Sequence, residues 1–132
     1  CFLAGCCYGI PAPAGWLGVT FPASAVEAPS GVPLLPVQLY EAAGCVLLFL
    51  LLDHLTDRGW PGGRLLALYL ALYGAWRFCI EFARADDRGA TVVSFLSPSQ
   101  LVALLLIAVA AAVFYTERRC LKLRRNAEDE PF

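Results

Sequence analysis

The chain has 132 residues, of which 59% are hydrophobic, and its mean hydropathy is +0.64. A soluble domain of this length has too small an interior to bury that much apolar surface, so the composition predicts a protein that lipid partly solvates. The formal net charge of −1 argues against a nucleic-acid-binding surface, and no nucleic acid is expected as a partner.

Residues 1–36 are rich in glycine and proline, which break helices and interrupt sheets. This pattern predicts an irregular head segment outside the membrane, with short strands around Leu17–Phe21. Three cysteines, Cys1, Cys6 and Cys7, lie near its start, but their spacing matches no recognised zinc pattern and no histidine is nearby. A packed turn of small residues is therefore a better interpretation of these cysteines than a metal or redox site. A disulfide between one of them and an upstream residue is the remaining alternative.

Three apolar segments follow, and each approaches the length needed to cross a hydrocarbon layer of about 30 Å. They predict transmembrane helices at about residues 37–55, 65–83 and 98–116, which together form a membrane domain over 37–116. The sequence Ser97-Pro98-Ser99-Gln100 is typical of a capping box at the start of the third helix. The predicted fold class is an all-α polytopic membrane protein.

Lys and Arg residues are concentrated on one side of the predicted spans, which by the positive-inside rule is the cytoplasmic side. They lie in the loop after the first span and in the tail 117–132: Arg58, Arg64, Arg118, Arg119, Lys122, Arg124 and Arg125. The tail is therefore predicted to be cytoplasmic and is expected to be partly disordered. The head segment 1–36 and the loop 84–96 are predicted to face outward.

The second span contains an ionic pair, Arg77 and Glu81, whose i, i+4 spacing places both residues on one face of the helix. Charges at membrane depth cost about 2.5–3.5 kcal/mol each on insertion scales and usually face a bundle interior or an aqueous cavity. One interpretation is an Arg that snorkels to the interface and pairs with Glu. The favoured one is a cationic pocket for a phosphate headgroup, with Tyr73 one turn before the pair and Arg84 on nearly the same side.

Glu41 lies near the outward end of the first span and follows Gln38 and Tyr40 in the sequence. Its carboxylate is a candidate base or a counter-charge to one of the two arginines. An acid that interacts with the helix dipole is an equally good explanation from spacing alone.

Several blocks of the chain resemble the phospholipid:prolipoprotein diacylglyceryl transferase family. The residues Tyr73–Asp86 are similar to its signature Tyr-Gly-x-x-Arg-x-x-x-Glu-Phe-x-Arg-x-x-Asp. Leu35–Glu41 resembles its His-Pro-x-Gln-Leu-Tyr-Glu element, and Ser97–Leu101 the element that opens its last span. Cys1–Gly9 resembles the Gly-Asn-Phe-x-Asn-Gly region in a cysteine-rich version, so that Leu35, Cys1 and Ala4 depart from the family pattern.

The resemblance implies that the chain is the C-terminal part of a seven-span protein of the bacterial inner membrane, and that it is inactive as a fragment. It implies transfer of a diacylglyceryl group from phosphatidylglycerol to the lipobox cysteine thiol of prolipoproteins, the first step of lipoprotein maturation. The expected partners are phosphatidylglycerol, the prolipoprotein signal peptide and membrane lipid. No metal or organic cofactor is implied.

The resemblance also implies roles for individual residues. Arg77 and Glu81 are the expected catalytic residues, with Arg77 stabilising charge on the departing phosphate and Glu81 orienting Arg77 or the glyceryl hydroxyl. The residues expected to bind substrate are Gln38, Tyr40, Glu41, Tyr73 and Arg84.

Two other functions remain open. A divergent paralogue that binds lipid or peptide without this reaction is compatible with the departures at Leu35, Cys1 and Ala4. A non-enzymatic membrane component would use Arg77 and Glu81 to bind or gate an ion, but it would be expected to show broken spans and repeats, which the sequence lacks.

Overall fold

A computed structural model of the chain describes residues 1–14, 16–85 and 96–128, with side chains as far as Lys122 in the last helix. The fold is mostly helical. Three helices, α1 (Val37–Asp57), α2 (Gly62–Glu81) and α3 (Pro98–Glu128), follow an irregular segment that contains two short strands. Helix α2 contacts both other helices and packs much more extensively against α3 than against α1.

Two of the helices are long and apolar enough to cross a membrane. These are Val37–Asp57, with a mean hydropathy of 1.5, and Pro98–Lys122, with a mean hydropathy of 2.1. Only 6% and 17% of these stretches are buried inside the protein, whereas the core helix of a soluble protein is mostly buried. The apolar surface is therefore turned outward, as in a protein that lipid solvates.

Helix α2 has 20 residues, so its length of about 30 Å matches a hydrocarbon layer. It carries three charged residues, Arg64 near its start and Arg77 and Glu81 near its end. The two charges near its C-terminal end lie where the three helices meet.

Helices α2 and α3 approach each other closely at Gly74. A Cβ atom at this position would lie 2.9 Å from the carbonyl oxygen of Ala103 and 2.9 Å from Ile107 Cγ1. Small residues that let two backbones approach are a common feature of helix pairs in membranes. The absence of a side chain at Gly74 thus leaves room for the backbone of α3.

The start of α3 is the predicted capping box. The backbone N–H of Gln100 donates to Ser97 Oγ at 3.2 Å, and Gln100 Oε1 accepts from the backbone N–H of Ser97 at 3.0 Å.

The C-terminal end of α3 lies beyond the position that the sequence predicts. Helix α3 continues to Glu128, past the predicted end of the span near residue 116, because good helix formers such as Glu117 follow the apolar run.

The head segment contains a two-stranded antiparallel ribbon, β1 (Val19–Thr20) and β2 (Pro33–Leu34). The first strand lies within the predicted range. Residues 8–12 run between β2 and the end of α2, with backbone hydrogen bonds to both, so Gly9 lies between two backbones. A Cβ atom there would be 2.6 Å from Leu35 O and 2.9 Å from Ala83 O. This close packing holds the head segment against the helix ends.

A substitution at Gly74 tests the close approach of α2 and α3. We expect Gly74→Ala to lower the thermal midpoint of the full-length protein in detergent, because the added methyl group meets the backbone of α3 and overpacking costs roughly 1–3 kcal/mol. Gly62→Ala is the matched control, since a Cβ atom at Gly62 has no neighbour within 4 Å. A Gly74→Ala protein as stable as Gly62→Ala would contradict this packing.

Candidate functional site

The predicted site residues meet where three helix ends and the head segment come together. This place is formed by the start of α1, the end of α2 and the start of α3. The backbone of Ile10 bonds to Ala83 O at 2.9 Å, and that of Ala85 bonds to Tyr8 O at 3.2 Å, which ties the head segment to the end of α2. Polar side chains from four parts of the chain are therefore close together at one end of the bundle.

Arg77 is the centre of this group. Its Nη2 atom lies 3.4 Å from Glu81 Oε2 in the predicted i, i+4 pair and donates a hydrogen bond of 3.1 Å to Ser99 Oγ. Its Nη1 atom lies 3.5 Å from Glu41 Oε1. The side chains of Arg77 and Glu81 are only 14% and 8% exposed, so the pair lies in the interior of the bundle and does not snorkel to its surface.

Glu41 joins the two arginines. One of its carboxylate oxygens is 3.5 Å from Arg77 Nη1, and the other is 3.6 Å from Arg84 Nη1. The Arg84 side chain is 6% exposed, and that of Glu41 is 27% exposed. The carboxylate therefore serves as a shared counter-charge, one of the roles that the sequence left open.

The group is electrically balanced, with two guanidinium and two carboxylate groups. Its ion pairs of 3.4 to 3.6 Å are longer than charge-assisted hydrogen bonds of about 2.7–2.9 Å. Among the described residues, Arg77 Nη1 is buried and has no hydrogen-bond acceptor. The carboxylates thus neutralise the guanidinium of Arg77 while leaving part of its donor capacity unused.

A cavity of about 350 Å³ opens beside this group. Glu41, Arg84 and Gln38 line it, together with Cys1 and Cys7 of the head segment. Gln38 Nε2 donates to the backbone oxygen of Cys6 at 2.7 Å, which fixes its amide at the cavity wall. The polar wall of the cavity can bind an anion or a hydroxyl group. Among the residues that the structure describes, the thiols of Cys1, Cys6 and Cys7 are close enough together to hold a metal ion.

The two predicted tyrosines lie elsewhere. Tyr40 and Tyr73 line an apolar groove of about 420 Å³ between α1 and α2, together with Gly44, Leu48 and Trp76. Tyr40 is next to Glu41 in the sequence, so the sequence places both at one site. In the helix, however, Tyr40 lies on the side of α1 that faces this groove. The structure thus brings Gln38, Glu41 and Arg84 to the cavity, and the tyrosines to the neighbouring groove.

One contact at the site was not assigned from the sequence. Ser99 was interpreted as part of a helix cap, yet its hydroxyl accepts a hydrogen bond from Arg77. The resemblance of Ser97–Leu101 to an element of the family was the available signal. Leu35, which replaces a histidine of the family pattern, is 5% exposed and packs with Val37 and Ile80. Asp86 lies outside the described residues.

Comparison with known proteins gives a family for this arrangement. The family model described as prolipoprotein diacylglyceryl transferase matches residues 1–116, which include every residue of the ionic group. The chain belongs to this family. No solved structure is significantly similar to the chain.

Individual relatives agree with the family match. The phosphatidylglycerol–prolipoprotein diacylglyceryl transferase of Clostridium tetani is 41% identical over 118 residues, covering 89% of this chain and 46% of the relative. The enzyme of that name from Dehalococcoides mccartyi is 39% identical over 128 residues, covering 96% of this chain and 47% of the relative. The chain thus spans about half the length of the curated relatives it matches.

The shared carboxylate makes a prediction about stability. We expect Glu41→Gln to destabilise the full-length protein by about 1–3 kcal/mol or more, because it leaves two buried guanidinium groups with one fewer counter-charge. Adding Arg84→Gln restores the charge balance and should recover part of the loss in thermal midpoint.

Glu117→Gln is the matched control for this experiment. Glu117 pairs with Arg64 at the far end of the helices, where the side chains of Glu117 and Arg64 are 16% and 42% exposed, so its loss leaves a single cation that solvent can reach. A Glu41→Gln effect no larger than that of Glu117→Gln, or a double variant less stable than Glu41→Gln, would contradict the bridging role of Glu41.

Proposed function

We propose that the chain is the C-terminal half of an enzyme that moves a diacylglyceryl group from phosphatidylglycerol to a prolipoprotein cysteine. The observation that carries the proposal is the pair of guanidinium groups, Arg77 and Arg84, bridged by Glu41 beside a cavity. The names of the matching relatives support the same reaction. The acceptor is the lipobox thiol at the end of a prolipoprotein signal peptide.

The bridging carboxylate indicates how an anionic lipid binds. Glu41 lies between the two arginines, where its two oxygens approach one guanidinium each. A phosphodiester also presents two charged oxygens and is a good partner for planar guanidinium groups. We infer that the lipid phosphate enters the cavity and takes over part of this contact, with Gln38 as a further donor at the cavity wall.

The reaction forms a carbon–sulfur bond and breaks the bond between the glyceryl carbon and a phosphate oxygen. The substrate thiol must lose its proton to become a good nucleophile, and in the overall balance this proton leaves with the glycerol phosphate. Negative charge grows on the departing phosphate, where a fixed guanidinium stabilises it. Arg77 is the residue proposed for this task, and Glu81 and Ser99 hold it in position.

The apolar groove between α1 and α2 suits the acyl chains of the lipid. Tyr40, Tyr73 and Trp76 contribute to its walls. Because Tyr40 is adjacent to Glu41 at the start of α1, this groove begins next to the ionic group and runs along the helices. A lipid headgroup in the cavity thus has its tails beside an apolar surface, and Tyr40 and Tyr73 act as substrate-binding residues there.

The proposed arrangement in the bacterial inner membrane follows from charge. All three helices cross the bilayer, as the last three spans of a seven-span protein, with the head segment 1–36 outside. The ionic group then lies at the outer end of α2, and the pair of Arg64 and Glu117 at its cytoplasmic end, next to the basic tail. The lipid headgroup and the translocated lipobox cysteine meet on the outer side.

Labelling of single cysteines tests this orientation. In a full-length protein without other cysteines, we expect Ser24→Cys in the head segment to react with a membrane-impermeant maleimide in right-side-out vesicles. A protein that keeps only Cys120, which is exposed near the end of α3, should react only after the vesicles are opened. The reverse pattern would contradict the proposed orientation and the function with it.

Substitution of Arg77 tests the reaction. We expect Arg77→Ala to lower the rate of diacylglyceryl transfer to a reporter prolipoprotein by roughly 10²–10³-fold, because a fixed charge at the departing phosphate is lost. Arg77→Lys keeps the charge but loses the planar fork, so its rate should lie between those of Arg77→Ala and the unmodified protein. The measurement uses full-length protein in cells depleted of their own transferase, followed by kinetics in detergent.

Arg64→Ala is the control, because it removes the same side chain from the opposite end of the same helix. It should insert normally and keep nearly full activity. Full activity of Arg77→Ala, or a protein that inserts normally but shows no transfer even without substitution, would refute the proposed function.

A further inference from the structure

The head segment brings three thiols together in a way that their spacing did not predict. The sulfur atoms of Cys1, Cys6 and Cys7 all lie within 4.8 Å of one another. Thiolates bound to one zinc ion at about 2.3 Å are separated by roughly 3.8 Å along the edges of a tetrahedron. The cluster therefore needs only a small contraction to coordinate a single ion.

The backbone turn explains how the thiols meet. The N–H of Cys6 donates to the carbonyl oxygen of Cys1 at 3.2 Å, which brings the two residues back together. Cys7 has a φ of 56°, a left-handed conformation that costs a non-glycine residue about 1–3 kcal/mol. In an extended chain adjacent side chains point in opposite directions, and this local change of direction lets those of Cys6 and Cys7 converge.

The turn is also held from outside. Val26 N–H donates to Ala4 O at 2.9 Å, and Ala28 N–H donates to Gly5 O at 2.9 Å. On its other side, Gln38 of α1 donates to the carbonyl oxygen of Cys6 at 2.7 Å. These contacts involve the residues between and around the cysteines, so the arrangement of the thiols does not depend on a bound ion.

We propose that Cys1, Cys6 and Cys7 form a three-thiolate site for one thiophilic metal ion, Zn²⁺ or Cu⁺, beside the cavity that contains Glu41 and Arg84. Soft thiolate ligands select these ions over hard cations such as Mg²⁺ and Ca²⁺. Among the described residues, the group contains no histidine or carboxylate as a fourth ligand. Cu⁺ would be three-coordinate, while Zn²⁺ would complete its tetrahedron with a water molecule.

A disulfide uses this geometry less well. The Cα atoms of adjacent residues are about 3.8 Å apart, below the usual range of about 4.4–6.8 Å for a disulfide, so Cys6 and Cys7 cannot bond without distortion. A bond from Cys1 to either one engages only two of the three clustered thiols. A metal ion engages all three, and its binding releases the thiol protons, so that Zn²⁺ and three thiols give a complex of charge −1 and three protons.

The position of the cluster links the ion to the ionic group. Cys1 and Cys7 line the same cavity as Gln38, Glu41 and Arg84. Thiols lose their protons when they bind a metal ion, so the bound thiolates would line the same cavity as the Arg84 guanidinium. The proposed metal site does not depend on the proposed transferase activity. It is inferred only from the positions of the three thiols and the turn that brings them together.

Metal titration of the full-length protein tests the proposal. The protein is purified in detergent under reducing, metal-free conditions and titrated with Zn²⁺ against a chromophoric chelator, and with Cu⁺ against a bidentate Cu⁺ indicator. Cd²⁺ serves as a spectroscopic probe, because cadmium bound to thiolates absorbs in the ultraviolet. We expect one ion per chain and loss of the absorbance in Cys6→Ser and in Cys1→Ser.

The other cysteines of this chain are matched controls. Cys45→Ser, Cys79→Ser and Cys120→Ser each remove one exposed thiol outside the cluster and should leave both the stoichiometry and the absorbance unchanged. Because α1, α2 and α3 do not contain the cluster, the thermal midpoint of metal-free Cys1→Ser and Cys6→Ser should match that of the metal-free parent protein. This comparison separates loss of the site from loss of the fold.

Three results would overturn the proposal. The first is that the reduced full-length protein binds neither ion, and the second is that Cys1→Ser and Cys6→Ser keep full binding. The third is a protein whose Cys1 is found in a disulfide by mass spectrometry and which binds no ion after reduction. Transfer activity is measured separately, so that its loss in Arg77→Ala and the loss of metal in Cys6→Ser are distinguishable.

Discussion

The contact of one carboxylate with two guanidinium groups connects the elements at the end of the bundle that contains the candidate site. Glu41 comes from the start of α1, Arg77 from near the C-terminal end of α2, and Arg84 from the chain just beyond it. Because Arg77 also binds Ser99 at the start of α3, a single cationic side chain connects all three helices. The positions of the helix ends and the charge of the cavity wall depend on the same few contacts.

Burying such a group of charges in a membrane protein costs free energy unless the positive and negative charges are paired. A single charge at the bilayer centre costs about 2.5–3.5 kcal/mol on insertion scales, and a charge buried without a partner is costlier still. Here four charges cancel at one end of the bundle, near the level where the head segment covers it. Under the proposed function, this balance lets an anionic headgroup bind by exchange of partners, and no isolated cation is left inside the protein when the site is empty.

The head segment has a structural role that its irregular appearance conceals. Residues 8–12 form backbone hydrogen bonds with the β2 strand on one side and with the end of α2 on the other. Gly9 fits between them because a side chain would meet both backbones. The head segment also brings the cysteine turn to the cavity, so residues of the ionic group and of the thiol cluster line the same cavity.

Local patterns in the sequence predicted the features that depend on neighbouring residues. The helix positions followed from apolar runs, the capping box at Ser97 from residues three apart, and the pair of Arg77 and Glu81 from one turn of helix. The family resemblance, also read from short motifs, was confirmed by the family match. The extension of α3 to Glu128 was not predicted, because the change from apolar to charged residues near residue 116 indicates the end of a span and a partly disordered tail.

Contacts between distant parts of the chain required the folded structure. Spacing left Glu41 equally suited to a helix dipole or to an arginine, and its distances to Arg77 and Arg84 decide between them. Likewise Ser99 meets Arg77 from another helix, and Cys1 meets Cys6 and Cys7 through a turn with a left-handed residue. A sequence pattern records periodicity along one element, whereas these contacts depend on how separate elements pack, which no spacing within a single segment specifies.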